Sequence, residues 1–372
     1  MNILRRIPLS RLLLLCSLAL VIGVSATALA FAVGSGPTPQ PKPLAQAIHD
    51  ALGGGPVEGV SASIVLTDNL LEGANLASGG HGGAITSSPL VTGASGRLWI
   101  AKDGDFRLEL QSEQGDTQIL YDGHTLSLYD AASNTLYRYT PPVREGGEAE
   151  IQVAVPKVSA RSHEVPSVAK IEEAISHLSR HADVSGATPT DIAGLPAYTV
   201  RVSPKEGGSL FGGVELSFDA NHGVPLRAAI YSTTSAAPVI ELAATEVSYG
   251  PVADSVFEVD PPANAKIDEI APPSSPGART QHMPTGEVGK PSLTTQGHGP
   301  TTIAILESKA TTGTEGAGEQ LEGLPKVTIN GTSASELRTE LGTLLTFERS
   351  GVRYMLAGSV TPATIEAVAR GL

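Results

Sequence analysis

The sequence predicts an α+β fold, mainly antiparallel β. Three observations point there. Between residues 96 and 140 apolar and polar residues alternate with a period of two, in short runs separated by turn residues. Only two amphipathic helical stretches accompany the strands before residue 270, too few to flank a parallel sheet on both faces. The 41 Gly and 27 Pro make up about 18% of 372 residues, which implies many turns and long loops while staying under the ~25–30% that marks wholesale disorder. At roughly 100–200 residues per domain, this length suggests two domains plus tails or one large domain.

The elements follow in order. Arg5, Arg6 and Arg11 precede an uncharged run over 12–33, a positive n-region before an h-region, with Ala28-Leu29-Ala30 as a cleavage site. The run is long enough to span a bilayer, so 1–34 reads either as a signal peptide or as an uncleaved transmembrane signal anchor, and both export the rest. Cys16 lies in the run behind Leu15, which is too large for a lipoprotein cleavage site, and reads as an apolar filler. Residues 35–43 form a Pro/Gly tether. The segment 44–52 puts Leu44, Ile48, Ala51 and Leu52 on one helical face and stops at Gly53-Gly54-Gly55. A strand rich in small and β-branched residues follows at 60–67. The Gly/Ser-rich stretch 69–96 reads as a long flap.

The meander begins at residue 96. Leu98 and Ile100 alternate with Arg97, Trp99 and Ala101, and Phe106, Leu108 and Leu110 with Arg107, Glu109 and Gln111. Asp122-Gly123 is a hairpin signal, and strands at 117–121, 126–129 and 135–139 complete the run. One face is apolar and the other charged, so one side packs or binds and the other meets water. After a loop at 141–166, a helix is expected over 168–183 with Val168, Ile171, Ile175 and Leu178 on one stripe. Strands are expected at 197–203, 213–219, 224–232 and 239–249, and the run 256–262 closes a unit spanning 44–270. Residues 271–300 read as a linker. A small C-terminal β-hairpin and helix module is expected over 301–372, its last helix opened by Thr361 as N-cap and Pro362 at the first helical position.

Charge and motifs exclude several functions. With 25 Lys+Arg against 38 Asp+Glu the net charge is −13, and without the three N-terminal arginines it is −16, so nucleic acid is not an expected partner. A single Cys excludes a disulfide scaffold and Cys-rich zinc modules. There is no G-x-S-x-G to match His81-Gly82-Gly83, no P-loop lysine after Gly55, and no H-E-x-x-H beside His163-Glu164. Glu173, His177 and His181 recur at i, i+4 and i+8, as a zinc site might use, but they flank the apolar stripe and read as a solvated face. Asp103 and Asp105 lack the other ligands of a calcium loop. Asn330-Gly331-Thr332 fits a glycosylation sequon and reads as a turn. No cofactor and no catalytic residue are expected.

The order of these elements resembles the LolA/RseB type of bacterial envelope protein, the lipoprotein carriers and the sensors that regulate membrane anti-sigma factors. Residues 44–52 with 60–67 resemble the family's opening helix and strand. Gly96-Arg97-Leu98-Trp99-Ile100 with Phe106-Arg107-Leu108-Glu109, Tyr121-Asp122-Gly123 with Leu128-Tyr129-Asp130, and Phe257-Glu258-Val259-Asp260-Pro261-Pro262 resemble its central strands, hairpin and closing strand. The resemblance covers about residues 44–267, and the Gly-rich 66–97 stretch is similar to an insertion of actinobacterial members. It implies an unclosed, curved β half-barrel covered by helices, with acyl chains held on an apolar concave face. The candidate cavity residues are Leu98, Ile100, Phe106, Leu108, Leu110, Ile119, Tyr121, Leu126, Leu128, Val214, Leu216, Phe218, Leu226 and Ile230; each is equally readable as ordinary core. Two roles follow: an extracytoplasmic, carrier-like protein for lipid or lipoprotein acyl chains at the membrane surface, or an RseB/MucB-like sensor of a membrane anti-sigma factor. The 301–372 module, which a carrier does not need, speaks for the second. The expected location is outside the cytoplasm, on the outer face of the cytoplasmic membrane or secreted.

Overall fold

A computed structural model describes residues 36–71, 93–113, 115–140, 165–258, 261–270, 292–309 and 324–372. The expected signal segment, most of the flap, nearly all of the 141–166 loop, Val259-Asp260 of the closing run and most of the linker lie outside the described residues. Among the described residues no helix is long and apolar enough to cross a membrane.

The first unit opens with α1 (Leu44–Leu52) and β1 (Gly59–Asp68). The meander follows as β2 (Ala94–Ala101), β3 (Phe106–Ser112), β4 (Gly115–Tyr121), β5 (Leu126–Asp130) and β6 (Thr135–Tyr139). Then come α2 (Val168–Leu178), β7 (Ala182–Val184), β8 (Thr188–Ile192), β9 (Leu195–Pro204), β10 (Phe211–Asp219), β11 (Pro225–Ser232), β12 (Pro238–Tyr249), a short 3-10 turn (Asp254–Phe257) and β13 (Lys266–Ile270). These strands form a 13-stranded sheet in the order β13-β6-β5-β4-β3-β2-β1-β12-β11-β10-β9-β7, with β8 paired to β9 off the path. The sheet does not close: β13 and β7 are its two ends. Among the described residues only the β13–β6 pairing is parallel. A twisted sheet this wide must curl, and bulges opposite Ser63/Ile64 and between Ser217 and Phe218 add local bend.

The second unit contains β14 (Ser292–Gln296), β15 (Ile303–Lys309), β16 (Lys326–Ile329), β17 (Thr332–Thr339), β18 (Gly342–Arg349), β19 (Val352–Gly358) and α3 (Pro362–Arg370). Its six strands run β14-β15-β19-β18-β17-β16. Ile303, Ile305, Leu345, Phe347 and Leu356 form its core, and α3 covers them with Ile365 and Ala369.

Several elements differ from the sequence reading. The start of the expected closing strand is a 3-10 turn, Asp254–Phe257, in which Phe257 is buried. The second helix ends at Leu178 and does not reach Asp183: Arg180 and His181 donate back to His177 and Leu178 in a tight final turn, and Ala182–Val184 pairs with β9 instead. His181 therefore leaves the helix and the i, i+4, i+8 row is not formed. The expected linker 271–300 contains β14, whose residues are all exposed and so carry no burial alternation. The same applies to β13, Lys-Ile-Asp-Glu-Ile. Helix α1 ends at Leu52, as the three glycines predict, with Gly53 as its C-cap at φ −80°. Thr361 precedes α3 as expected but makes no side-chain cap; its hydroxyl pairs with that of Thr364.

Candidate functional site: an apolar sheet face

Side chains alternate across a strand, so the pairing register decides which residues share a face. Ala62, Leu98, Leu108, Ile119, Leu128 and Tyr137 stand in one row across β1 to β6. Val60, Ile100, Phe106, Tyr121, Leu126 and Tyr139 form the next. On the other side of β1, Leu66, Leu242, Ala228, Leu216 and Val200 are in register, as are Ile240, Ile230, Val214 and Val202. One apolar face thus runs across ten consecutive strands, β6 to β9.

Of the fourteen candidate residues, thirteen fall on this face. The fourteenth, Leu226, is the extra residue of the β10–β11 bulge, where the register assigns no partner, and it is buried. The sequence reading missed Ile64, Leu66, Val200, Val202, Ile240 and Leu242 as members of the same face. Their alternation was visible, but the strand order that joins β1 to β12 was not.

The face is not uniform. At its centre Ala62, Ile64 and Leu110 form a buried cluster, with Leu66, Leu98, Leu108 and Leu242 packed on it. At the β9–β10 end α1 seals the face: Ala47 and Ala51 pack on Tyr198 and Phe218, whose rings are 6.0 Å apart. Alanine is required there because the helix lies close to the sheet. The helix α2 in turn packs on α1 and buries Ile171. Between these covered regions Val214 and Leu216 remain 39% and 42% exposed. Phe106 and Tyr121, with rings 6.1 Å apart, lie toward the β4–β6 end. Burial holds the Tyr121 phenol above its ordinary pKa, helped by the Asp105 carboxylate, and burial likewise raises Asp105.

The charged, solvated face was expected for the meander 96–140 alone. Over β9 to β12 the corresponding face is a partly buried polar network. Arg227 donates to Glu215, to Glu241 at 2.8 Å and to the Tyr231 hydroxyl at 3.2 Å. Arg201 lies over the Tyr231 ring, 4.1 Å from its centroid. Among these long side chains Ser217 and Ala229 are fully buried. The carboxylate partners hold the Arg227 guanidinium above its usual pKa, Glu241 most strongly. Near the α1 end, buried Asp219 accepts from the Asn221 and His222 backbone amides and from the Tyr249 hydroxyl at 2.7 Å.

Among the described residues no group of three His, Cys, Asp or Glu side chains is placed to hold a metal. Glu173 and His177 sit exposed on α2. Asp103 and Asp105 flank the β2–β3 turn, and Asn330-Gly331 forms the β16–β17 turn. His81 and His163-Glu164 lie outside the described residues.

No protein-family model and no curated protein matches this chain. Solved structures do. A crystal structure of MucB in complex with MucA(peri) is similar at 14% identity and a TM-score of 0.41, covering 88% of this chain and 94% of that one. The MucA/MucB complex of Pseudomonas aeruginosa matches at 16% identity and a TM-score of 0.39, over 88% and 94%. A LolA superfamily protein from Nitrosomonas europaea matches at 9% identity and a TM-score of 0.20, over 87% and 97%. These likenesses concern the fold.

Proposed function

We propose that this chain is a non-enzymatic, extracytoplasmic binder of acyl chains, carrier-like in its use of an open apolar sheet face. The observation that carries the reading is the continuous apolar face from β6 to β9, with Val214 and Leu216 exposed between the central cluster and α1. Between the rings at its two ends, leucine, valine and isoleucine side chains leave a surface that a flexible hydrocarbon can follow. Burial of each methylene contributes ~0.8 kcal/mol, so ten methylenes supply ~8 kcal/mol before ordering costs. No specific polar chemistry is needed to hold such a ligand.

Native mass spectrometry of the full chain, purified from its own membranes, tests the reading. A co-purified lipid mass that is lost in Leu216→Glu is the expected result. A ligand-free protein that also takes up no fluorescent fatty acid would sink it.

The second unit favours a further role beside binding. It has its own core and touches the first unit through polar contacts: the Ser209 hydroxyl and the Leu210 amide both donate to the Ser359 carbonyl at 2.8 Å. An appendage that a carrier does not need, hydrogen-bonded to the unit that bears the apolar face, suits a sensor that contacts a membrane anti-sigma factor when that face is filled. Capture of such a factor that changes with lipid loading would establish that reading over simple carriage.

A further inference from the structure

The face opposite the apolar one carries a concavity over β12, β1 and β2. Its volume is about 280 Å³, just under the ~300 Å³ at which small-molecule pockets begin. The sequence of β1 explains it. Ser61 and Ser63 alternate with Val60, Ala62 and Ile64, so the central strand puts small hydroxyl side chains on this face and apolar ones on the other. The flanking strands add longer side chains at Trp99, Arg97 and Glu246. Trp99, Ser61 and Ser248 share one row, and Arg97, Ser63 and Glu246 share the next. A floor of serines between an indole and a guanidinium on one side and a carboxylate on the other makes a trough. Ala62 and Val247 complete the lining, and since their side chains point to the apolar face, their main chain forms the floor.

The walls are fixed from behind. Arg107, the cross-strand neighbour of Trp99, donates to the Val256 carbonyl at 2.9 Å and the Gln118 amide oxygen at 3.2 Å, and pairs with Glu109 at 2.7 Å. Inside the trough Ser63 donates to Glu246 at 3.2 Å and Ser248 donates to the Ser61 carbonyl at 3.3 Å. The Arg97 guanidinium and the Ser61 hydroxyl have no hydrogen-bond partner among the described residues, so donors remain for a ligand.

We propose that this trough binds a neutral saccharide of one or two rings. An indole face accepts the apolar C–H face of a pyranose, while hydroxyls need the mixed donors and acceptors that Ser61, Arg97 and Glu246 supply. An acyl chain would leave those polar groups unpaired. A phosphate or other anion would meet Glu246 in a chain of net charge −13. Among the described residues the lining holds one carboxylate, Glu246, whereas glycoside hydrolysis uses a pair, so the proposal is one of binding and not of cleavage. The site lies on the other face of the sheet from the proposed acyl surface and stands independently of it.

Trp99 is the chain's single tryptophan, so its intrinsic fluorescence reports the trough without a label. The full chain is titrated with maltose, cellobiose and N,N′-diacetylchitobiose. The expected result is a saturable emission change with at least one of them in the millimolar range. Arg97→Ala and Glu246→Ala each weaken it about tenfold. Filling the trough by Ser61→Phe or Ser63→Phe abolishes it, and Leu216→Glu on the far face leaves it unchanged. The wild-type titration decides without any variant: no saturable response to the three sugars, or an equal response to inorganic phosphate or glycerol, overturns the proposal. So does a response that survives in a correctly folded filled variant.

Discussion

At the scale of single residues, the most consequential polar group is Asp219. It is fully buried at the end of β10, where one oxygen accepts from the Asn221 and His222 amides at 2.6 and 3.0 Å and the other accepts from Tyr249 at 2.7 Å. The turn it organises lies against the end of α1, since a Cβ on Gly223 would stand 3.1 Å from the Ala51 carbonyl. Asp219→Ala strands three donors at once, at ~1 kcal/mol or more each, so a loss of ~3 kcal/mol is expected by urea denaturation. Tyr249→Phe removes one bond and leaves the backbone donors in place, so about 1 kcal/mol is expected. The same pair sets a pH dependence. Burial, then the bond to Asp219, pushes the Tyr249 phenol above its ordinary value. A group whose folded pKa is raised contributes stability below the unfolded pKa and loses it as pH rises beyond. Stability should therefore fall above pH ~10, by at most ~1 kcal/mol up to pH ~11 once solvent screening is allowed for. The Tyr249→Phe variant should lose less over that interval; equal slopes would refute the assignment.

At the scale of elements, legibility followed periodicity. Strands with one buried and one exposed face, such as Phe106–Ser112, announce themselves by alternation. Edge strands do not: β13 and β14 are exposed on both faces, and nothing in Lys-Ile-Asp-Glu-Ile separates a strand from a loop. The helix α2 was overrun because Ser179 to Asp183 carries no breaker residue, and its end is decided by the pairing of Ala182–Val184 with β9, a long-range fact. The apolar face was legible as a set of residues, and its continuity was not, because the joint between β1 and β12 links residues about 180 apart in sequence. The polar trough was illegible for the same reason: Glu246 and Ser248 reach Ser63 and Ser61 only through that joint. Glycine placement makes the β2–β3 pairing testable. A Cβ on Gly96 would lie 1.8 Å from the Glu109 carbonyl oxygen, whereas one on Gly186 meets nothing within 4 Å. Gly96→Ala should thus cost ~2–3 kcal/mol through forced separation of the two strands, and Gly186→Ala should be neutral within ~0.5 kcal/mol in the same denaturation assay. Similar values for both would show that the strands can part cheaply.

At the scale of the whole molecule, the two sheets hold separate cores, and among the described residues they are joined by hydrogen bonds. Besides the Ser359 contacts, the Thr234 hydroxyl donates to Glu340 at 3.0 Å and the Glu340 amide donates to the Leu70 carbonyl at 3.3 Å. Contacts of this kind, few and hydrogen-bonded, contribute little against two hydrophobic clusters that each bury their own leucines. The units should then unfold as two transitions in calorimetry, and ligand linkage should tell them apart. A fatty acid held on the face of β6 to β9 stabilises only the unit that binds it, by ~2.7 kcal/mol at a hundredfold excess over Kd. The transition it raises should be the one that Leu216→Glu leaves almost unmoved in the absence of lipid, because that side chain is 42% exposed. The same variant should abolish the lipid-induced rise. In the second unit Leu345 is fully buried beneath α3, and Leu345→Ala should lower the other transition through a loss of ~2–5 kcal/mol. The lipid response should persist in that variant. If Leu345→Ala instead removed the lipid response, or if one transition moved as a whole under either change, the two sheets would be one cooperative body. Binding on the apolar face would then be felt directly by the second unit, which is the coupling a sensor requires and a simple carrier does not.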